Sequence, residues 1–175
     1  MNESLRIQKR VVAATVRAAG QTLKGDLYLG EQAQRHTGVE TVLDLLQGEE
    51  PFFPLVQKGQ GTALVPISTV DWISVVNESD AHFSMPGVLE ELRGVKVSFD
   101  GMAPFSGLLM AVPTPDAPRL LDELNDLYTF VPVMVGKETY VVNARRALWS
   151  ESSRPKPSSP PPPAKKKTTA KKRKN

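Results

Sequence analysis

Two histidines, His36 and His82, are the only imidazoles in a chain of 175 residues that contains no cysteine. Each lies in a loop-like segment, Gln34-Arg-His-Thr-Gly and Asp80-Ala-His-Phe, without the i, i+4 partner of a metal-binding helix. The missing thiols exclude a disulfide framework, a thiolate zinc site, an iron–sulfur cluster and a cysteine nucleophile. Asp44 and Asp122 recur at equivalent points of two similar blocks, and paired carboxylates are what general acid–base chemistry requires. Both, however, have apolar neighbours in a short helical pattern, which reads as a cap or a solvent-facing position. Asp122-Glu123 and Glu90-Glu91 read as solvated faces, and Gly59-Gln-Gly61 lacks the Lys-Ser/Thr and helix start of a phosphate loop. The expectation is a non-enzymatic protein with no catalytic residue, no metal and no cofactor.

Charge points elsewhere. Residues 1–150 carry 13 basic and 18 acidic side chains, whereas residues 151–175 carry nine basic side chains and only Glu151. Seven of those cations, Lys165, Lys166, Lys167, Lys171, Lys172, Arg173 and Lys174, are interrupted only by Thr168, Thr169 and Ala170. Lysines on a mobile chain bind phosphates by releasing counterions and need no fold to do so. They form the candidate nucleic-acid-binding site, for DNA or RNA without sequence preference. No large apolar side chain follows Trp149, so the segment is expected to be disordered, with Pro160 to Pro163 as a polyproline II spacer. The remainder shows no basic residues interleaved with exposed aromatics, and Trp72 and Trp149 are expected to seal the core of each of two units.

The elements that must position these residues repeat. Thr41-Val-Leu-Asp-Leu-Leu-Gln47 matches Arg119-Leu-Leu-Asp-Glu-Leu-Asn125, and Pro51-Phe-Phe-Pro-Leu-Val56 matches Thr129-Phe-Val-Pro-Val-Met134, both at an offset of 78. Gly25 falls on Gly107 at offset 82, and Leu64-Val-Pro-Ile67 falls on Tyr140-Val-Val-Asn143 at offset 76. β-branched runs over 11–18 and 95–99 end at the turn glycines Gly20 and Gly101. The following strands, 23–29 and 105–112, each contain a glycine, which predicts a bulge or sharp bend. A short helix is expected in each copy, then strands over 52–57 and 130–135, over 62–68 and 138–143, and over 72–76 and 148–149. Pro54 and Pro132 predict an edge or a bulge in their strands, because proline cannot donate to a ladder. The organisation expected is an N-terminal segment 1–9, β-rich units 10–77 and 93–149 joined by a linker 78–92, and a tail 150–175.

These blocks resemble a bacterial domain-of-unknown-function family of short β-rich units, with the pattern G-x-L, Arg-Leu-x-Asp-x-Leu-Asn, Phe-x-Pro-Leu/Val and Val-Asn. The second copy fits best, through Gly107-Leu-Leu109, Arg119 to Asn125, Phe130-Val-Pro-Val133 and Val142-Asn143. The first departs at Thr41, Gln47 and Pro66-Ile67. The resemblance spans about residues 10–149 and implies an architecture, with no activity attached. The fold expected is mainly β with short helices: two repeated small SH3/Sm-like barrel-type units packed together, followed by the disordered basic tail.

No apolar run is long enough for a signal-peptide core or a membrane span, so a cytoplasmic, nucleoid-associated location is expected. The expected role is a binding or adaptor protein: the β-rich body contacts a protein partner, and the tail supplies affinity for nucleic acid. The competing role is a cytosolic scaffold in a bacterial signalling or motility pathway, with the tail only a tether. Salt dependence separates the two, because phosphate binding weakens steeply with ionic strength.

Overall fold

The computed structural model describes residues 8–84, 91–111, 120, 124 and 129–151. The protein is mainly β. Its strands are β1 (Lys9–Ala18), β2 (Gln21–Gly30), β3 (Phe52–Gln57), β4 (Gly61–Pro66), β5 (Val70–Val75), β6 (Glu91–Ser98), β7 (Phe105–Ala111), β8 (Phe130–Val135), β9 (Glu138–Asn143) and β10 (Leu148–Glu151). Two short helices lie wholly within the described residues, α1 (Val42–Leu46) and α2 (Glu78–Ala81), so the 78–92 segment begins as helix. In the second copy, Leu120 and Leu124 are helical, while Asp122 and Glu123 lie outside the described residues.

Alternation explains the first strands. Val12, Ala14, Val16 and Ala18 are buried every second residue of β1, and Leu27 and Leu29 do the same in β2. Ala19 and Gly20 both take positive φ, the two-residue turn whose twist matches its flanking strands. Thr41 and Asp44 form a reciprocal capping box that starts α1, and Val42 and Leu46 then drop onto the core one turn apart.

All ten strands form one antiparallel sheet in the order β10-β6-β7-β8-β9-β5-β1-β2-β3-β4. The first half reads β5-β1-β2-β3-β4 and the second β10-β6-β7-β8-β9, the same order twice. Registers repeat as well. Asp26 faces Val56 across β2 and β3, and its counterpart Leu108 faces Met134 across β7 and β8.

Gly25 and Gly107 are equivalent, but neither is a bulge. The β1–β2 and β6–β7 registers run unbroken through Ala14↔Gly25 and Val95↔Gly107. Close approach explains both glycines. A Cβ on Gly25 would lie 2.6 Å from the Val56 carbonyl oxygen, and one on Gly107 would lie 2.5 Å from that of Met134.

The prolines also find a physical account. β3 is interior in the sheet order, yet its register with β2 is recorded only at Asp26↔Val56, so the flank lacking the Pro54 N–H has no ladder to serve there. Pro132 sits one residue beyond the β7–β8 register in the same way.

One sequence alignment needs correction. The β3–β4 connection has one residue more than the β8–β9 connection, so β4 and β9 match at offset 77, which places Val65 on Val142. Ile67 and Ser68, assigned to that strand, instead open a 3-10 turn (Ile67–Thr69) that leads into β5. Trp149 pairs with Val97 as Ile73 pairs with Val16, so the counterpart of Trp149 is Ile73, and that of Trp72 is Leu148.

The halves join where β5 pairs with β9, through Trp72↔Val142, Ile73↔Val141, Ser74↔Tyr140 and Val75↔Thr139. Every residue of β5 is buried. Phe130 and Val141 of the second half belong to the first hydrophobic cluster, and Trp72 of the first half belongs to the second. Trp72 therefore packs in the core cluster of the second half of the sheet rather than of its own half, and Trp149 packs against that same cluster. Polar ties accompany this exchange. Asn143 Nδ2 donates to the Val70 carbonyl at 3.0 Å, and Arg146 Nε donates to Asp71 Oδ1 at 2.8 Å. Asp71 is buried and also lies 3.8 Å from Arg17 Nε, so its charge has two cationic neighbours.

Candidate interaction surfaces

The histidines are engaged by the fold. Gly38 N–H donates to His36 Nδ1 at 3.1 Å, which leaves the proton on Nε2 to be donated to Asp44 Oδ2 at 2.9 Å. The same carboxylate oxygen accepts from Thr41 N at 2.8 Å and Thr41 Oγ1 at 2.6 Å. The imidazole stacks on Phe83 with centroids 4.0 Å apart and planes within 9°. With both ring nitrogens engaged and the ring stacked on Phe83, His36 and Asp44 pin the 31–41 loop to α1. Asp44 serves the cap from the N3 position, with Thr41 as the N-cap itself. The His36 contact was not legible, because Phe83 and Asp44 are distant in sequence from one another.

His82 is buried, and its Nε2 lies 3.2 Å from Ser84 Oγ. An open cleft of about 450 Å³ lies beside it, lined by Gly38, Thr41, Glu78, Phe83 and Ser84. Among the described residues, no group of three or more His, Cys, Asp or Glu side chains is placed to hold a metal ion. Gly59 and Gly61 take positive φ in the β3–β4 turn, away from any helix start. Lys165, Lys166, Lys167, Lys171, Lys172, Arg173 and Lys174 lie outside the described residues. No described helix is long and apolar enough to cross a membrane.

Among the described residues, the ends of the sheet are open: β4 and β10 each have a described strand on one side only, so the other side presents a row of backbone donors and acceptors. Leu64 on β4 and Leu148 on β10 are exposed there, as is Phe52 on the neighbouring β3. Solvated antiparallel edges usually carry charge or proline against unwanted pairing; β4 ends in Pro66 and β10 in Glu151, and beside these an exposed leucine sits on each strand.

Tyr140 marks the junction between the halves. It lies against Trp72, at 4.9 Å between ring centroids, and against Phe105 at 5.1 Å. Burial, and secondarily the charge of Glu138, push its phenol above the ordinary value of 10.0, while a hydrogen bond with Ser74 opposes the shift. The folded state thus keeps this proton to higher pH than the unfolded chain does. Its contribution is intact below about pH 10 and is lost as pH rises toward the folded value. Melting temperature should therefore fall more steeply above pH 10 in the native protein than in Tyr140→Phe. Parallel curves would show that the phenol does not feel the junction.

No family model matches the chain, and neither a curated protein nor a solved structure matches it.

Proposed function

We propose that the protein is a non-enzymatic adaptor built from two small barrel-type β units, with a protein-binding body and a basic tail that gives sequence-independent affinity for DNA or RNA. One observation carries this reading. Through Glu151, the last residue of β10, the chain has 13 basic and 19 acidic side chains; beyond it there are nine basic and none acidic. A body of that charge repels phosphates, so affinity for nucleic acid must reside in the tail. Support for the protein-binding body comes from the two apolar sheet edges.

The experiment is capture from lysate by the full chain and by a chain ended at Glu151, each with and without nuclease. The full chain should retain nucleic acid that nuclease removes, and both chains should retain the body's protein partner with or without nuclease. The shortened chain should retain no nucleic acid. Equal retention of nucleic acid by both chains would contradict the reading. Absence of nucleic acid from both would favour the scaffold role, with the tail as a tether.

A further inference from the structure

The internal junction is an edge-to-edge contact between unlike strands: the fifth strand of one unit (β5) pairs with the fourth of the next (β9). The two edges left open are a fourth strand, β4, and a fifth strand, β10. They are thus the two halves of the contact already made once inside the chain. We propose that copies of this protein associate head to tail, β10 of one against β4 of the next, through the register Leu148↔Val65, Trp149↔Leu64, Ser150↔Ala63 and Glu151↔Thr62. That register follows by replacing each residue of the β5·β9 ladder with its counterpart in the other unit.

Side chains at these counterparts carry the case. Inside the junction, Trp72, Val141 and Phe130 are 6%, 0% and 3% exposed. Their counterparts Leu148, Leu64 and Phe52 are 77%, 71% and 52% exposed. Three positions keep the large apolar residues that the contact buries, on surfaces that no described residue covers. Leu148 and Leu64 are the most exposed large hydrophobic residues among those described. A second copy is the occupant whose shape and backbone pattern the internal junction already matches.

The outer contact is weaker than the inner one. Asn143, which ties the inner junction to Val70, has Pro66 as its counterpart, and Asp71, which holds Arg146, has Ala147. Without these polar ties, association is reversible. A contact between unlike edges is also not self-limiting in pairs; it continues into a ring or a filament. Each added copy brings another basic tail, so assembly raises avidity for a polyanion without any new contact.

This inference rests on the reading of the body as protein-binding, and its test separates the two. Sedimentation of the full chain should show mass growing beyond the 19.2 kDa monomer as concentration rises to about 100 µM. Leu64→Glu and Leu148→Glu, both at exposed sites, should each remain monomeric with an unchanged melting temperature. Mixed in equal amounts they should form a species of twice the monomer mass and nothing larger, because each supplies the edge that the other lacks. A native chain that stays monomeric at that concentration overturns the proposal without touching the tail's affinity for nucleic acid. Association of either variant alone, or failure of the mixture to pair, overturns the head-to-tail geometry. If a chain ended at Glu151 assembles while the full chain does not, residues 152–175 are what occupy an edge, and the proposal again fails.

Discussion

Raising salt fourfold should weaken binding of the full chain to duplex DNA about a thousandfold. The estimate follows from counterion release, in which log affinity falls with log salt at about 0.9 per neutralised phosphate. Seven cations lie between Lys165 and Lys174. If five to seven of them reach phosphates, the slope is about −4 to −6. The same titration with scrambled duplexes should give equal affinities, because lysine contacts to phosphates carry no sequence information. A slope near −1 would mean that the tail makes few phosphate contacts. Marked sequence preference would assign the contact to the folded body.

Gly107→Val and Gly25→Val should each cost about 3 kcal/mol, read as a fall of about 10 °C in melting temperature. The cost arises from backbone rather than from a flexible side chain. At Gly107 the new Cβ meets the Met134 carbonyl oxygen at 2.5 Å and Val133 Cγ1 at 2.7 Å. At Gly25 it meets the Val56 carbonyl oxygen at 2.6 Å and Leu55 Cγ at 2.9 Å. Relief requires β8 to move off β7, or β3 off β2, at the points where each pair of strands is in register. Matching losses at both sites would also show that the halves use one construction twice. Unchanged melting in either variant would mean that the strands separate there at little cost.

Much of this architecture was legible in the sequence because it depends on local signals. The β-branched run ending at Gly20 specified β1, the apolar spacing of Val42, Leu43 and Leu46 specified a short helix, and the shared Gly25 and Gly107 specified equivalent constraints. The cause of the glycines was not legible, since a bulge and a close approach leave the same mark in one strand. Strand pairing between the halves was also hidden. β5 shows only that it is buried throughout, and whether Trp72 packs on its own unit or the other depends on which edge β9 meets. The one-residue difference between the β3–β4 and β8–β9 turns puts β4 on β9 at offset 77 while the next strand matches at 76, a shift too small to leave a mark in short apolar runs. The edge surfaces needed the sheet order before Leu64 and Leu148 could be seen as exposed partners rather than as core.

The division of labour between an acidic folded body and a basic tail is tested most directly by titrating one labelled duplex, at low salt, with the full chain and with the chain ended at Glu151. The full chain should bind, and the shortened chain should show no binding while melting at the same temperature as the full chain. Equal binding by the two chains would contradict it.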